Sequence, residues 1–390
     1  MQHSPKPIKI IKLEKDTMEE QRFTAKEHDV STKELHENCE VERGNEKKDI
    51  RCDNTTILRM SSNYNQNSEI QAYTASLLDS FLRRAVAELD TILPQGVPLE
   101  ICEYGCATGG SSILPIRAIQ DTVVNRPLHV TLNDLPSNDW IVLKKTVEPE
   151  FPSIKFKYEA KSMYTPVGTF HLAYSCYALH WLSKGAPSGL PNGALWANQL
   201  PSDNAYRMAW EDASKKDWEN LLRVRAEEIP IGGFMVFHIQ SSKCSGDLKE
   251  EYPKILQQAK LTMMAGGELS EEEGRSMVVP EFLKSPAEIL LPLMRGSCMT
   301  LWEVEEVVYR RLPCIYMDMV DVEKASLSRN EEIVEKQIRY LRSFMDSSLY
   351  ASIGEEKTEY FWGIVRRMVE GNPEKLHSSS MATFIVLRRC

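Results

Sequence analysis

The sequence predicts an α/β protein with a doubly wound, Rossmann-like parallel sheet and a helical cap over its site. Three observations predict this fold class. Apolar runs of strand length alternate with helical patterns along most of the chain. One run, at 99–102, breaks into a glycine-rich loop that is followed by a helical pattern. Another, at 232–240, is continuously apolar, as expected for a strand covered on both faces.

The composition is that of a globular protein with a sizeable core. The chain has 390 residues, 42% of them hydrophobic, and a net charge of −9. This acidic balance argues against nucleic acid as a partner. No apolar run approaches the roughly 18–20 residues of a membrane span, and the N-terminus lacks an apolar signal segment. Nine scattered cysteines without a C-x-x-C pair predict reduced thiols, no zinc and a cytoplasmic location.

The first 55 residues differ from the rest of the chain. They mix acidic and basic side chains densely and contain one aromatic residue, Phe23. Such a segment buries too little apolar surface to offset its chain entropy. We therefore expect a disordered or loosely helical extension at 1–55, with a short helix around 12–27 as the alternative. The folded domain is expected at 56–390.

The stretch 98–112, PLEICEYGCATGGSS, is predicted to organise the site. Its glycines permit positive φ angles and let a ligand lie against bare backbone, while the following helix adds free N–H groups. The spacing fits neither a dinucleotide fingerprint nor a P-loop. Glu103, at the strand's carboxyl end, is an acceptor that suits a cationic, ribose-bearing ligand such as S-adenosylmethionine. An ordinary strand-to-helix turn is the alternative.

Polar residues also follow the next two predicted strands. Asp134 ends the strand at 128–135, where an acid accepts ribose hydroxyls in doubly wound sheets. A helix-capping role is the alternative for this residue. Ser162 and Met163 follow the strand at 154–160, where an adenine ring would lie.

Two more segments carry candidate site residues. The strand at 170–175 runs into Tyr177, His180 and Trp181, three large amphipathic side chains for which core or lid packing is the alternative. Before the helix predicted at 72–93 lies a polar cluster that includes a capping residue but is too large to be explained by capping alone. Its members are Tyr64, Asn67, Ser68 and Gln71.

Helical stretches at about 190–230 and 245–298 are predicted to form the cap. The second stretch is rich in Met, whose soft side chain suits an adaptable lid, although core filling is the alternative.

Together these motifs resemble the SABATH methyltransferases, the plant salicylate/benzoate/theobromine family, from about Met60 to the C-terminus. The segment NYNQNSEIQ resembles the family's S-Y-A-x-N-S-x-x-Q, and EYGCATGGSS resembles D-L-G-C-S-S-G-P-N. LNDLPSND is similar to N-D-L-P-x-N-D, and SMYTP to S-F-Y. YSCYALHWLS resembles S-S-Y-S-L-H-W-L-S, and VVPEFLKSPAEI resembles P-x-Y-x-P-S-x-x-E. The resemblance implies a class I methyltransferase sheet.

The resemblance also implies which residues form the site. Residues from the polar cluster, the glycine loop and the two following strand ends would bind S-adenosylmethionine: Tyr64, Ser68, Glu103, Gly105, Cys106, Ser111, Asp134, Leu135, Ser162 and Met163. Four residues would face the methyl acceptor: Gln71, Tyr177, His180 and Trp181. Of these four, Gln71, His180 and Trp181 would take part in catalysis.

The chain departs from the family pattern at several positions. Glu103 replaces an Asp, and Ser111 replaces an Asn. Some members bind Mg²⁺ through an Asn and a later Asp-x-Phe-Asn run; Asn198 matches the first ligand, but Arg275, Met277 and Val278 occupy the run. A cationic side chain at a ligand position predicts that no metal is bound. The N-terminal extension is foreign to the plant members and favours a source outside the plants.

The predicted function is transfer of a methyl group from S-adenosylmethionine to a carboxylate oxygen of a small-molecule acid. A carboxylate is ionised at neutral pH, so no general base is required. Gln71 and Trp181 would donate N–H groups to it. An N-methyltransferase acting on a heterocycle and a non-catalytic ligand-binding member are the alternatives, and NAD-dependent oxidoreduction is a more distant one. A homodimer is the expected assembly.

Overall fold

The computed structural model describes residues 10–13, 60, 64–242, 252–316 and 327–390. Within these ranges eight strands form one mixed sheet in the spatial order β1-β7-β8-β6-β5-β2-β3-β4. The strands are β1 (Ile10–Leu13), β2 (Leu99–Tyr104), β3 (Leu128–Asp134), β4 (Lys155–Ala160), β5 (Leu172–Ser175), β6 (Phe234–Ser241), β7 (Trp302–Leu312) and β8 (Ser380–Arg389).

The order in which the chain adds strands to the sheet reverses at β2. From β2 the chain adds β3 and β4 on one side, and it then crosses to add β5 and β6 on the other, all in parallel. β8 inserts antiparallel between β6 and β7. In open α/β sheets the carboxyl ends of strands at such a reversal leave a crevice for a ligand. The crevice here lies between β2 and β5.

Ten helices of the described ranges surround this sheet. They are α1 (Glu69–Ser76), α2 (Asp79–Ile92), α3 (Ile113–Thr122), α4 (Trp140–Val147), α5 (Ala205–Glu228), α6 (Tyr252–Gly266), α7 (Glu271–Ser276), α8 (Pro286–Met294), α9 (Leu327–Ile353) and α10 (Glu355–Val369). None of the helices described is long and apolar enough to cross a membrane.

Strand alternation sends side chains into two core layers. In β2, Leu99 and Ile101 join the layer formed with α2, α3 and α4. Cys102 and Tyr104 join the layer formed with α5 and α8 on the opposite face. Because successive residues of a strand point to opposite faces, strands covered on both faces are buried along their whole length, as β5 and β6 are. The strands predicted from these apolar runs are confirmed, with ends that differ by one or two residues.

A third core lies beside the two layers of the sheet and joins α6, α9 and α10. It includes Met263 of the Met-rich helix α6, and also helices from 327–369, which the predicted cap did not contain. Within the segment predicted at 190–230, α5 packs its Trp218 and Leu222 against the sheet.

Two further expectations differ from the structure. Residues 10–13 of the extension form an edge strand parallel to β7, where Ile10 pairs with Val307. The β-branched pair Ile10-Ile11 suits a strand, and an edge offers unpaired backbone groups; the rest of 1–55 lies outside the described residues. The single helix predicted at 72–93 is two helices, α1 and α2, which meet at Leu77-Leu78.

Candidate active site

A cleft of about 820 Å³ opens at the carboxyl ends of β2, β3 and β5. It is lined by the glycine loop, by the segments after these strands, and by residues of the polar cluster that precedes α1. The lining residues are Met60, Tyr64, Gly105, Ala107, Ser111, Asn133, Asp134, Leu135, Asn138, Ser162, Met163, Tyr164, Cys176, Tyr177, Ala178, Trp181, Leu182 and Ser183.

The glycine loop is shaped by its backbone conformation. Gly105 has a φ of 75° and Gly109 a φ of 87°, values that side-chain-bearing residues seldom adopt. A Cβ atom on Gly105 would lie 2.3 Å from Cβ of Ala178. The Gly105 N–H donates to the Asn133 carbonyl at 2.9 Å. The loop therefore presents bare backbone to the cleft, as its glycines predicted.

Asn65, which was absent from the predicted site, holds this loop from outside. Its Oδ1 accepts hydrogen bonds from the Gly110 N–H at 3.0 Å and from the Thr108 hydroxyl at 2.7 Å. Its Nδ2 donates to the Thr108 carbonyl at 2.9 Å and to Thr146 Oγ1 at 3.3 Å. The amide thus fastens the polar cluster to the loop. Asn65 lies between members of the polar cluster in the sequence, but only the fold shows its contacts.

Asp134 lies at the end of β3, where the sequence placed it. Its Oδ2 accepts from the Ala107 N–H at 2.6 Å, and its Oδ1 accepts from the Leu135 N–H at 2.7 Å. Burial raises the pKa of this carboxyl, while the two backbone donors lower it. Asp134 lines the cleft, and each of its oxygens has a further lone pair that can accept a hydroxyl group.

Glu103 is placed differently from the prediction. It is 2% exposed and does not line the cleft, and Tyr174 donates its hydroxyl to Oε2 at 2.9 Å. Burial raises the pKa of this carboxyl to about 7. Glu103 therefore faces Tyr174 of the neighbouring strand β5 rather than the cleft.

Two other predicted cofactor residues lie behind the cleft wall. Ser68 is 3% exposed, and its hydroxyl lies 3.5 Å from the Asn65 carbonyl. Cys106 is fully buried and belongs to the core layer of α2 and α3. The other seven predicted cofactor residues line the cleft together: Tyr64, Gly105, Ser111, Asp134, Leu135, Ser162 and Met163.

A second cavity of about 370 Å³, here called the chamber, adjoins the cleft. The cavities share four lining residues: Met60, Tyr64, Tyr177 and Trp181. The remaining chamber residues are Gln71, His180, Gln240, Tyr252, Glu281, Tyr340 and Phe344. All four residues predicted to face the methyl acceptor line the chamber. The cap residues Tyr340 and Phe344 on α9 carry no motif and were not predicted.

His180 is held against an acidic residue that was also not predicted. The ring is 3% exposed, and its Nε2 lies 3.3 Å from Oε2 of Glu281. Burial and the neighbouring Lys284 lower the pKa of His180 to about 3. Its Nδ1 is buried without a hydrogen-bond partner in the described part of the chain. The ring is therefore neutral at physiological pH, and its Nδ1 is available for a hydrogen bond to a ligand.

Gln71 and Trp181 differ in what they offer to a ligand. Gln71 is 3% exposed beside the Tyr64 hydroxyl, and its Oε1 lacks a partner among the described residues. Trp181 borders both cavities, and its indole N–H is a donor only. Gln71 thus adds an unpaired oxygen to the chamber. The sequence analysis predicted a different contribution, in which the N–H groups of Gln71 donate to the substrate carboxylate.

Tyr177 forms the wall between cleft and chamber. Its φ is 60°, in the left-handed region, and its N–H donates to Nδ1 of His238 at 3.2 Å. The His238 ring lies 4.7 Å from the Tyr177 ring, centroid to centroid. This buried histidine fixes a strained backbone position and so places the tyrosine ring where the two cavities meet.

The cleft fits a ligand that combines a ribose with a cationic sulfur. Asp134 offers acceptors for hydroxyl groups, and Oδ1 of Asn133, which also lines the cleft, is buried without a partner in the described ranges. Gly105, which has no side chain, lines the cleft beside these groups. Glu103 supplies a buried acidic group. These are the features of a site for S-adenosylmethionine.

A family model described as SAM-dependent carboxyl methyltransferase matches residues 59–390. The chain belongs to this family. The SABATH resemblance and the S-adenosylmethionine cofactor are thereby confirmed, and the protein is a methyltransferase.

Curated relatives of this methyltransferase include O- and N-methyltransferases. It is 23% identical over 339 residues to loganic acid O-methyltransferase of Catharanthus roseus, covering 80% of this chain and 86% of that protein. It is 34% identical over 199 residues to salicylate/benzoate carboxyl methyltransferase of Arabidopsis thaliana, covering 45% of this chain and 52% of that protein. It is 23% identical over 362 residues to 3,7-dimethylxanthine N-methyltransferase TCS1 of Camellia sinensis, covering 84% of this chain and 94% of that protein.

A solved structure supports the fold of the methyltransferase. Loganic acid methyltransferase with SAH superposes with a TM-score of 0.71 at 21% identity, covering 85% of this chain and 98% of that one. The doubly wound class I methyltransferase fold is therefore confirmed.

The positions at which the family resemblance places Mg²⁺ ligands make other contacts in this methyltransferase. Asn198 Nδ2 donates to the Leu283 carbonyl at 3.1 Å, and its Oδ1 accepts from the Leu283 N–H at 2.9 Å. Arg275 is exposed and pairs with Glu271 at 2.7 Å. Met277 and Val278 are buried in apolar clusters. No cluster of three or more potential metal ligands occurs among the described residues.

Proposed function

We propose that this methyltransferase transfers a methyl group from S-adenosylmethionine to a carboxylate oxygen of a small-molecule acid, forming a methyl ester. The supporting observation is the set of O–H and N–H donors where cleft and chamber meet: Tyr64, Tyr177 and Trp181 line both cavities. Donors at this position hold an oxygen anion without neutralising it. When bound, S-adenosylmethionine supplies an electrophilic methyl group on a cationic sulfur.

The low basicity of His180 favours an acceptor that arrives already deprotonated. A general base is most effective when its pKa lies near the working pH. The pKa of His180 is lowered to about 3 by burial and by Lys284, so this ring removes a proton poorly at pH 7. A carboxylic acid, with an ordinary pKa of about 4, has lost its proton before it binds.

The burial of the chamber supports the same chemistry. Gln71 and His180 are each 3% exposed, so the acceptor is held away from bulk water. Attraction between an anionic acceptor and a cationic methyl donor strengthens as the local dielectric constant falls. Fixing the acceptor at the junction with the cleft adds the advantage of a preoriented reaction.

N-methylation of a heterocycle is the second candidate, and one observation favours it. The buried Nδ1 of His180 and Oε1 of Gln71 are acceptors that an N–H group of a heterocycle would satisfy. One relative, TCS1 of Camellia sinensis, is named as an N-methyltransferase. The weak basicity of His180 makes this candidate the less favoured of the two.

A labelled-methyl assay separates the candidates. The enzyme is incubated with methyl-labelled S-adenosylmethionine and panels of aromatic, terpenoid and fatty acids and of heterocycles. We expect label in products of the acids that mild alkali releases as methanol, because esters hydrolyse and N-methyl groups do not. Alkali-stable label on a heterocycle alone would support the second candidate. Binding of S-adenosylmethionine without transfer to any compound would support a non-catalytic role.

A further inference from the structure

Trp181 lies in a loop whose position depends on contacts with other parts of the fold. The segment 176–183 follows β5 and belongs to no helix or strand. Its backbone pairs with the segment 280–282 at an isolated bridge between Trp181 and Glu281. A loop has no continuous ladder of backbone hydrogen bonds, so side chains of neighbouring elements must hold it in one conformation. Two side chains that do so are Tyr164 and Asp217.

Tyr164 contacts the backbone of Trp181 itself. Its hydroxyl donates to the Trp181 carbonyl at 2.9 Å. Burial raises the pKa of Tyr164, so the hydroxyl keeps its proton and remains a donor at physiological pH. Tyr164 directly follows Ser162 and Met163, and all three residues line the cleft. A segment of the cofactor cleft is thereby joined to the residue that borders both cavities.

Asp217 on α5 fixes the same loop two residues further along the chain. Its Oδ2 accepts from the Ser183 N–H at 2.7 Å, and its Oδ1 accepts from the Ser183 hydroxyl. Asn220, three positions later, lies on the same face of the helix, and its Nδ2 donates to the Tyr164 carbonyl at 2.9 Å. One face of α5 therefore holds both Ser183 and Tyr164, and α5 itself packs against the sheet.

The proposed reaction is sensitive to where Trp181 is held. Under the proposed function its indole N–H donates to the carboxylate of the acid. Reacting groups must meet at about 3–3.5 Å with the right orientation, and a misplacement of about 1 Å can cost on the order of 100-fold in rate. A shift of the Trp181 backbone moves the indole ring with it. Contacts that fix this backbone therefore contribute to the rate even where they do not touch the acid.

We propose that Tyr164 and Asp217 are positioning residues for methyl transfer, which hold the backbone at Trp181 so that its indole N–H meets the carboxylate of the acid. The inference rests on the proposed function. Neither residue lines the chamber, so both act on the acid through Trp181. Asn220 supports Tyr164 from the helix that carries Asp217, which joins the two contacts into one unit. Loss of either contact is expected to affect the acid more than S-adenosylmethionine.

The first test measures acid turnover and cofactor affinity in Tyr164→Phe, which removes the hydroxyl and keeps the ring. The probe is benzoate or, where benzoate does not react, the acid of the labelled panel that reacts fastest. We expect kcat/KM for the acid to fall about 10-fold, the scale of one buried hydrogen bond, and the Kd of S-adenosylmethionine to change less than about 2-fold. Tyr158→Phe is the matched control, because the Tyr158 hydroxyl donates to Glu148 and neither residue lines the cleft or the chamber. An unchanged kcat/KM in Tyr164→Phe would overturn the proposal for Tyr164.

The second test asks whether the two residues act through Trp181. Trp181→Phe removes the indole N–H, and Tyr164→Phe is then added in that background. No indole donor is left to be positioned, so we expect a further loss in kcat/KM below about 2-fold. A further loss of about 10-fold would show a contribution independent of the indole and would overturn the proposal.

Asp217→Asn is expected to follow the same pattern in both backgrounds, because one carboxylate oxygen that accepts from Ser183 becomes an N–H₂ donor. Asp212→Asn, at an exposed position of the same helix, is its matched control and should react like the wild type. An Asp217→Asn variant that also reacts like the wild type would overturn the assignment of Asp217.

A third test needs no turnover. Replacing the seven Trp residues with 5-fluorotryptophan gives one fluorine resonance for each, and that of Trp181 is the one absent from Trp181→Phe. With S-adenosylhomocysteine bound, Tyr164→Phe and Asp217→Asn are each expected to shift or broaden this resonance, whereas the two control variants are expected to leave it unchanged. A Trp181 resonance that is unchanged in both Tyr164→Phe and Asp217→Asn would overturn the proposal.

The outcomes distinguish this inference from the proposed function. If no acid yields alkali-labile methyl label, the proposed function itself fails, and the resonance of Trp181 still shows whether Tyr164 and Asp217 hold it. If acids are methylated but the Trp181 resonance does not respond, or the losses in kcat/KM persist in the Trp181→Phe background, only the inference fails. Should one of the two variants not fold, the other decides through the same readouts.

Discussion

Asn65 Oδ1 accepts a hydrogen bond from the Gly110 N–H at 3.0 Å and joins segments separated by 45 positions in the chain. In the family motif a proline, which has no N–H, stands where this chain has Gly110, and an alanine stands where it has Asn65. The two departures occur together in one contact. The amide therefore provides the glycine loop with a tie that the general motif does not encode.

Removing this tie is expected to loosen the cofactor cleft. In Asn65→Ala the loop loses hydrogen bonds to Thr108 and Gly110, so we expect a loss of about 1–3 kcal/mol in unfolding free energy. The Kd of S-adenosylmethionine should rise as well, because the free loop must be ordered on binding. Chemical denaturation and calorimetric titration measure the two effects. Gln66→Ala, an exposed neighbour, is the control, and equal affinities of the two variants would contradict the role of Asn65.

Asp134→Ala is expected to weaken S-adenosylmethionine binding by on the order of 2–3 kcal/mol, as for a lost hydrogen bond to a charged group. The carboxylate also holds the Ala107 and Leu135 N–H groups, so part of this loss comes from the loop itself. Titration of the folded variant measures the Kd. Unchanged affinity would show that Asp134 only shapes the loop and does not contact the cofactor.

The raised pKa of the buried Glu103 carboxyl is expected to make the free energy of unfolding depend on pH. The pKa of the buried carboxyl is raised from 4.5 to about 7, so between these values the folded state keeps a proton that the unfolded chain has lost. The contribution of Glu103 to stability therefore falls as pH rises through this window, by up to about 3 kcal/mol.

The test compares Glu103→Gln with the wild type by urea denaturation at pH 5 and at pH 8. The amide cannot ionise, so the variant should gain stability relative to the wild type at pH 8 and not at pH 5. Glu272→Gln, at an exposed site, should follow the wild type. The difference in unfolding free energy between Glu103→Gln and the wild type could instead be the same at pH 5 and at pH 8. That result would show that the folded state does not raise the pKa of Glu103.

Trp181 and His180 should respond differently to substitution if the acceptor is a carboxylate. Trp181→Phe removes the indole N–H and keeps most of the ring, and it is expected to cost roughly 1–3 kcal/mol in kcat/KM. His180→Asn should change KM or substrate choice and leave a substantial kcat. Because burial lowers the pKa of His180 to about 3, no limb of the rate profile near pH 6.5 should belong to it. Loss of turnover in His180→Asn with a nearly silent Trp181→Phe would favour N-methylation.

A chain that begins at Thr56 is expected to fold and to bind S-adenosylmethionine. It lacks β1, which pairs with the outer edge of β7 through residues 10–13, far along the sheet order from the crevice at β2. The expected loss is therefore in stability and not in affinity. Thermal unfolding and cofactor titration check both properties. Absence of a cooperative unfolding transition would show that the extension is part of the core.

Local patterns in the sequence determined the strands, the glycine loop and the position of Asp134. Strand alternation, turn glycines and the carboxyl ends of parallel strands are properties of short segments, so they can be read without the fold. The motifs also placed Tyr177, His180 and Trp181 beside one cavity. The burial of Glu103 could not be predicted from the sequence. A side chain at a strand end points into the core layer or into the crevice according to its neighbours in the fold.

Only the tertiary structure decided the partners of these residues. Asn65 reaches Gly110, and Glu281 reaches His180, through contacts between segments far apart in the chain. The protonation state of His180 depends on this burial and on Lys284, not on the local sequence. The lining of the chamber likewise comes from side chains of several elements. A motif fixes residue types and spacing, whereas desolvation and pairing depend on every element packed around them.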